Sequence, residues 1–197
     1  MKPILFNTEM VQAILEGRKT VTRRVLKRPF EIHSNGYITK PRKIYRFCPY
    51  ESPYEVNDVL YVRETWNEWT GGYVYKAWCE PFPQAGACGL WKPSIHMPRE
   101  AARIFLRVTD VRVERLQDMK YKDMWAEGIS NPCDSCNECY DRCDTCAKKE
   151  WEEIGFIALW NSTIKKDQLK YYGWESNPYV WVIEFEDISE EVKRQQS

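Results

Sequence analysis

The pattern of the chain changes from helix to strand within the stretch Gly17-Arg18-Lys19-Thr20-Val21-Thr22-Arg23-Arg24. Before this stretch, residues 8–16 carry apolar side chains on one helical face, and glycine is a residue type that commonly ends a helix. After it, residues 20–26 are rich in β-branched side chains and alternate as a strand does. This part of the sequence therefore predicts a short helix that turns at Gly17 and continues directly into a strand.

Strand-like segments dominate the rest of the chain. They cover residues 56–64, 66–69, 73–77, 102–116 and 179–185. The phase of the longest segment changes near Asp110, which predicts a β-bulge or turn there. Helical patterns cover residues 118–128 and 148–160, and we expect the charged tail from residue 189 to fray. Many short strands with few helices predict an α+β fold that is mainly β, a small β-barrel with flanking short helices.

Length and composition narrow the class of protein. The 197 residues suit one domain spanning positions 1–197. A hydrophobic content of 43% and an aromatic content of 14% exclude a disordered chain. No apolar run reaches the roughly 20 residues that a membrane span needs, and the N-terminus becomes polar too early for a signal peptide. We therefore expect a soluble, cytoplasmic protein with no membrane partner.

Charge is unevenly distributed although the formal net charge is zero. Residues 17–46 contain ten lysines and arginines but a single acidic residue, Glu31. Such a patch attracts an anionic partner through its local field, whatever the total charge. The alternative interpretation is a solvated, charged face that binds nothing.

Five of the eight cysteines form a Cys-x2-Cys-x2-Cys-x3-Cys-x2-Cys run, which comprises Cys133, Cys136, Cys139, Cys143 and Cys146. Two Cys-x2-Cys pairs can complete a tetrahedral zinc site, here the first two and the last two cysteines, with Cys139 as a spare or alternate ligand. An iron–sulfur cluster is the alternative, because the first four match a ferredoxin-like spacing. An odd number of thiols in a reducing compartment argues against disulfides.

The run defines an insertion at residues 131–147, and its metal is predicted to be structural. Four thiolates fill the coordination shell and leave no open position for chemistry. Acidic residues surround the cysteines, which disfavours contact with phosphates. The insertion is therefore interpreted as a metal staple, and a lid over a neighbouring cleft or a docking site for a partner protein are further hypotheses.

Six segments together resemble ASCH-domain proteins, of the kind often carried by bacteriophages. The most specific is the Gly-x-Lys-Thr-x-Thr-Arg run within residues 14–24. The others are residues 4–6, 62–66, 92–99, 126–129 and 177–185. The resemblance covers nearly the whole chain except the cysteine run and residues 30–54. It implies a PUA-like β-barrel with a cleft between barrel and helix, and a nucleic-acid or nucleoside ligand.

The resemblance also implies candidate catalytic residues. Two activities are associated with such domains, amide hydrolysis of N4-acetylcytidine and RNA cleavage. In the hydrolase branch a lysine, a threonine and a glutamate act together, and by motif position these are Lys19, Thr22 and Glu127. The chemistry needs a hydroxyl nucleophile, an amine of lowered pKa as base and a carboxyl that carries protons. Positive charges that lower the lysine pKa are expected from Arg18, Arg23 and Arg24.

The geometry of a regular strand poses a condition for this site. Lys19 and Thr22 lie on opposite faces of an extended chain. They can meet only if the chain is still turning after Gly17. If the chain is already extended at Lys19, then Thr20 competes with Thr22 for the role of nucleophile.

Further residues are candidates for ligand binding. The guanidinium groups of Arg23 and Arg24 suit phosphate, although we expect one of them to pair with Glu64 or Glu127. Trp66 can stack on a base, but most of the nine tryptophans must lie in the core. The remaining candidates come from the motif segments and are Thr20, Arg63, Glu64, Ser94, His96 and Arg99.

Four classes of function follow. Binding of RNA, a nucleoside or a nucleotide in a basic cleft is the first. An amidohydrolase that removes an acyl group from N4-acetylcytidine-like bases is the alternative. A ribonuclease ranks below these because no carboxylate cluster for Mg²⁺ is evident. A metal-stapled adaptor that binds another protein is the fourth.

Overall fold

The computed structural model describes residues 1–27, 30–32, 38–40, 48–49, 52–69, 72–79, 90–129 and 148–196. The strands are β1 (Lys2–Leu5), β2 (Val21–Val25), β3 (Glu31–Ile32), β4 (Ile38–Lys40), β5 (Cys48–Pro49), β6 (Val59–Arg63), β7 (Trp66–Trp69), β8 (Gly72–Tyr75), β9 (Phe105–Arg115) and β10 (Tyr179–Asp187). The α-helices are α1 (Thr8–Leu15), α2 (Lys76–Cys79), α3 (Tyr121–Ala126), α4 (Lys148–Thr163), α5 (Leu169–Tyr172) and α6 (Ser189–Gln196). The mixed α+β class with predominant sheet is confirmed.

A five-stranded sheet in the order β1-β6-β9-β10-β2 forms the centre of the fold. The β1–β6 pair is parallel and the other three pairs are antiparallel. The long strands β9 and β10 shift register between Glu184 and Phe185, opposite Asp110 and Val108. The bulge predicted near Asp110 is thereby confirmed. Two smaller sheets, β3-β4-β5 and the β7-β8 hairpin, accompany the central one.

Apolar side chains cover both faces of the central sheet. One face packs with Ile4, Phe6 and α1 around the buried Leu106 and Ile183. The other face packs against α3 and α4 through a cluster that includes Phe156. Because both faces are covered, β2 contributes buried residues on either side, and this strand lies between the two cores.

The prediction of a closed barrel is wrong for the described residues. The edge strands β1 and β2 do not pair with each other there. The chain leaves β1, passes through α1 and returns as β2, so a helix and not a strand ladder connects the two edges. The guanidinium of Arg24 spans the gap and donates from Nη2 to the Leu5 carbonyl over 2.8 Å. The PUA-like character of the fold stays a prediction.

The first helix begins after an Asn7 cap, whose side chain accepts a hydrogen bond from the Met10 amide. The expectation of a frayed tail is corrected, because the residues from Ser189 form helix α6 and its Val192 side chain packs against Phe105 and Ile188. Burial of this apolar side chain holds the helix against the sheet. None of the described helices has the length and apolar character needed to cross a membrane.

Candidate active site

A cavity of about 120 Å³ lies in the gap between the edge strands β1 and β2. Its walls come from residues 5–7, from Lys19 and β2, from Glu127 and from the last turns of α4. We call it the Lys19 cavity. The opening exists because the two edge strands do not pair, so the cavity occupies the place where a barrel would close.

The turn after α1 determines where Lys19 points. Gly17 has a φ of 72°, a left-handed conformation that favours glycine. The amides of Arg18 and Lys19 both donate to the Ala13 carbonyl, over 2.9 and 3.0 Å. The chain is therefore still turning at Lys19 and becomes a strand only at Val21. The condition for a shared site is met, because Lys19 and Thr22 line the same cavity.

The position of Thr20 separates it from Thr22. Thr20 is exposed and is not among the residues that line the cavity, whereas Thr22 is 4% exposed and lines it. The structure therefore leaves Thr22 as the threonine that faces the Lys19 cavity.

The Lys19 amine is buried and donates hydrogen bonds to three acceptors. Its Nζ donates to Glu127 Oε2 over 2.8 Å, to the Glu127 carbonyl over 2.8 Å and to the Val21 carbonyl over 2.9 Å. The side chain is 2% exposed. Lys19 and Glu127, 108 residues apart in sequence, thus lie in direct contact as the resemblance implied.

A close backbone approach makes this contact possible. Glu127 caps the end of α3, and the following Gly128 has a φ of 85°. A Cβ atom on Gly128 would lie 2.7 Å from the Ala13 Cβ and 3.0 Å from the Lys19 Cβ. Only glycine allows the turn after α3 to pack this closely on the turn after α1.

Glu127 shares its carboxylate between two cations. Oε2 accepts from Lys19, and Oε1 accepts from Arg23 Nη1 over 3.1 Å. Arg23 also donates from Nη2 to Glu114 over 2.8 Å. A buried carboxylate held by two cations stays oriented toward the cavity and does not need water to balance its charge.

Burial lowers the pKa of the Lys19 amine, and this is the largest of the influences on it. The positive charges of Arg24 and Arg23 lower the pKa further, while Glu127 raises it. Arg18 does not contribute as expected, because its guanidinium pairs with Glu16 and donates to the Gly128 carbonyl. A lowered pKa is a property that a lysine needs in order to act as a general base near neutral pH.

The two adjacent arginines have different environments. Arg23 is buried and paired with Glu127 and Glu114, which confirms its expected pairing with Glu127. It also lines the cavity, so its contact with a ligand stays a prediction. Arg24 lines the cavity with its Cζ 5.4 Å from the centre of the Phe6 ring. No carboxylate among the described residues lies within ion-pair distance of Arg24. Within the described part of the chain, its guanidinium therefore has only neutral partners, the Leu5 carbonyl and the Phe6 ring.

Another group of predicted ligand residues lies elsewhere, and none of them lines the Lys19 cavity. They are Arg63, Glu64, Trp66, Ser94, His96 and Arg99. Glu64 is 1% exposed and binds Arg103 through two hydrogen bonds of 2.9 Å. Arg63 donates to the carbonyls of Met97 and Ile95. In this geometry Arg63 binds backbone carbonyls and Glu64 binds Arg103, so both side chains connect neighbouring segments of the chain.

The aromatic and short polar members of this group are also explained by packing. Trp66 is 3% exposed and packs against Met97 and Ala101, so it offers no open face to a base. Ser94 and His96 delimit a short 3₁₀ turn, and His96 is exposed. Arg99 is exposed and reaches the Met1 sulfur over 3.2 Å. These residues do not line the Lys19 cavity, and their contacts with a ligand stay predictions.

The cysteine run lies outside the described residues, so its metal stays a prediction. In the part of the chain that the structure does describe, no group of three or more histidine, cysteine, aspartate or glutamate side chains could hold a metal ion.

The sequence patterns did not indicate every residue of the site. Phe6 and the α4 residues Leu159 and Thr163 line the cavity, and Glu114 neutralises Arg23. An apolar residue directly after a strand was the available signal for Phe6. No local signal distinguishes Glu114 from other charged strand residues, because its role depends on a partner 91 residues away.

No family model matches the chain, and neither the curated proteins nor the solved structures give a significant match. The ASCH resemblance therefore stays an expectation from the motifs. The function has to be argued from the geometry of the Lys19 cavity.

Proposed function

We propose that the chain is an amidohydrolase that removes an acyl group from an N4-acetylcytidine-like base bound in the Lys19 cavity. One observation carries the proposal: the Lys19 amine lies 2.8 Å from the Glu127 carboxylate in a cavity that Thr22 also lines. The motif resemblance supplies the same three residues by an independent route. In this proposal Lys19 is the base, Thr22 the nucleophile and Glu127 the proton carrier.

The groups of the site that can donate and accept protons suit this reaction. Loss of a proton from Lys19 as the pH rises leaves a neutral amine, and burial favours that uncharged form. The amine then accepts the Thr22 hydroxyl proton while the oxygen attacks the acyl carbon. The protonated amine or Glu127 returns a proton to the departing cytosine nitrogen. Water, deprotonated by the same amine, then hydrolyses the threonine ester and restores the site.

The size of the cavity favours a small substrate. A volume of about 120 Å³ is well below the roughly 300–1,000 Å³ of sites for drug-sized ligands. It suits an acyl group with part of a base more than a segment of nucleic acid. Binding of RNA in a cationic cleft has less support, because carboxylates neutralise Arg18, Lys19 and Arg23. Arg24 has no carboxylate partner among the described residues, which is consistent with contact to an anionic or carbonyl group of the ligand.

Incubation with N4-acetylcytidine tests the proposal, and the expected product is cytidine. We expect Thr22→Val to reduce kcat/KM by about 100-fold or more, because valine keeps the shape and removes the hydroxyl. Thr20→Val is the matched control, since Thr20 is exposed outside the cavity, and full activity is expected. Because burial lowers the pKa of Lys19, kcat/KM should rise with pH until the amine is neutral.

Two results contradict the proposal. One is the absence of cytidine at any pH between about 6 and 10. The other is turnover that survives unchanged in Lys19→Met, which keeps the length of the side chain and removes the base. Equal losses in Thr20→Val and Thr22→Val would mean that the strand, and not the hydroxyl, is required.

A further inference from the structure

A second concave surface of about 310 Å³ lies beyond the end of β2, and we call it the aromatic groove. It is formed mainly by Leu26, Phe30, Arg115, Tyr171, Tyr172 and Tyr179. The Lys19 cavity does not include any of these residues. Its volume falls at the lower end of the range for sites that hold drug-sized ligands.

The sheet places the groove beside the cavity. The Leu26 amide donates to the Tyr179 carbonyl over 3.0 Å, and Tyr179 pairs with Arg115 of β9. These three residues form one row across the sheet. Arg24 of the Lys19 cavity precedes Leu26 by two positions, and side chains two apart share a face about 7 Å apart. The two sites are therefore neighbours on the same face.

The groove combines aromatic rings with positive charge. The Arg115 Cζ lies 3.8 Å from the centre of the Tyr179 ring, and Arg115 Nη1 donates to the Asn177 carbonyl over 2.9 Å. The guanidinium thus lies over the tyrosine ring in a cation–π contact. Lys170 Nζ lies 4.8 Å from the centre of the Tyr171 ring, and Tyr171 is 51% exposed.

No acidic residue is among the described residues that line the groove. Among the described residues, no carboxylate lies within ion-pair distance of Arg115. A charged guanidinium that stacks on one ring and has no carboxylate partner among the described residues suits a ligand that is both planar and anionic. Single-stranded nucleic acid has this chemistry, because bases stack on aromatic rings and arginine planes while phosphates bind the cations.

We propose that the aromatic groove binds single-stranded nucleic acid, with a base stacked on Arg115 or Tyr171 and a phosphate held by Arg115 and Lys170. This site is separate from the proposed catalytic residues and does not depend on hydrolysis. If the proposed function also holds, the groove places a nucleotide that flanks the acylated base.

Fluorescence anisotropy of the full-length chain with a labelled oligouridylate of about ten nucleotides tests the proposal. Because this RNA contains no acyl amide, binding is measured independently of catalysis. We expect Arg115→Ala and Tyr171→Ala each to weaken binding by roughly 5- to 100-fold, in line with the loss of one stacked base. Arg107→Ala, on the same strand β9, and Tyr73→Ala, an exposed aromatic residue, are the matched controls and should bind as the unmodified chain does.

A second readout separates contact from folding. Loss of one phosphate contact in Arg115→Ala should reduce the slope of log affinity against log salt by about 0.7, and a general loss of structure would not single out this value. Tyr171→Ala tests the same groove through an exposed side chain if Arg115→Ala fails to fold.

Three results would overturn the proposal: no binding by the unmodified chain, equal weakening by the control variants, or equally tight binding of polyglutamate. The last would identify a site for acidic peptides. Binding of RNA without hydrolysis of N4-acetylcytidine would refute only the proposed function. Hydrolysis without RNA binding would refute only the groove.

Discussion

At the scale of single residues, the site depends on how Glu127 divides its carboxylate. One oxygen accepts from Lys19 and the other from Arg23, and both cations are nearly inaccessible to solvent. Two cations on one carboxylate leave Lys19 with only part of a counter-charge. This sharing allows burial to lower the pKa of the lysine although a carboxylate is in contact with it.

A double-mutant cycle measures this coupling. We expect Glu127→Gln to lower the free energy of unfolding by about 3–5 kcal/mol, because it leaves buried cations without their carboxylate. Lys19→Met should cost less, since Arg23 still pairs with Glu127. The double variant should cost about 1–3 kcal/mol less than the sum of the two single changes. Urea denaturation followed by tryptophan fluorescence gives all three values.

The exposed pair of Lys92 and Glu68 supplies the control for this cycle. Glu68→Gln should cost less than about 1 kcal/mol, as exposed ion pairs usually do. Strict additivity at Lys19 and Glu127 would show that the two side chains do not interact in solution.

At the scale of elements, two turns create the site. The turn after α1 carries Lys19 and the turn after α3 carries Glu127. Gly128 is the point of closest approach, because any Cβ there would overlap with Ala13 and press on Lys19. The local backbone at these turns therefore matters as much as the identity of the functional side chains.

Gly128→Ala tests the contact between the turns. We expect a loss of about 2–4 kcal/mol in the free energy of unfolding, from the strained positive φ and from the overlap with Ala13. Thermal denaturation with calorimetric analysis provides the measurement.

Gly72→Ala is the matched glycine change, since a Cβ there meets nothing within 4 Å. Its effect should stay within about 0.5 kcal/mol. If the two alanine variants were equally stable, the close approach of the turns would not exist in solution.

At the scale of the whole molecule, the cysteine run separates the two elements that border the cavity. It falls between α3, which is capped by Glu127, and α4, which lines the cavity through Leu159 and Thr163. A metal bound by the run would shorten the effective connection between these helices. We therefore propose that a structural zinc in the run stabilises the site without taking part in the reaction.

Metal analysis of the purified chain should find about one zinc per chain. Removal of that zinc by a chelator should lower the thermal midpoint, because metal binding by such motifs contributes to folding free energy. Cys143→Ser should reduce the zinc content, whereas Cys88→Ser, outside the run, should not. Iron with sulfide in place of zinc would favour the alternative cluster, and no metal at all would contradict both.

Prediction from the sequence succeeded where local patterns suffice. The helix before Gly17, the strand after it, the bulge near Asp110 and the strand at residues 66–69 all follow from periodicity and local residue type. The prediction failed for the tail, where helix α6 packs Val192 on Phe105. In a highly charged segment, a single apolar residue gives no clear periodicity, so its packing can be recognised only when the surface that it contacts is known.

The sequence by itself determined the order of the longer elements and the turn at Gly17, because residue type and spacing over a few positions set local backbone preferences. The candidate trio of Lys19, Thr22 and Glu127 came from the resemblance of the motifs to ASCH-domain proteins. Only the tertiary structure decided that the sheet stays open, that Arg23 is neutralised and that Thr22 rather than Thr20 faces the cavity. The pairing of Arg23 depends on carboxylates 104 and 91 positions away, and no local pattern specifies which distant charges meet.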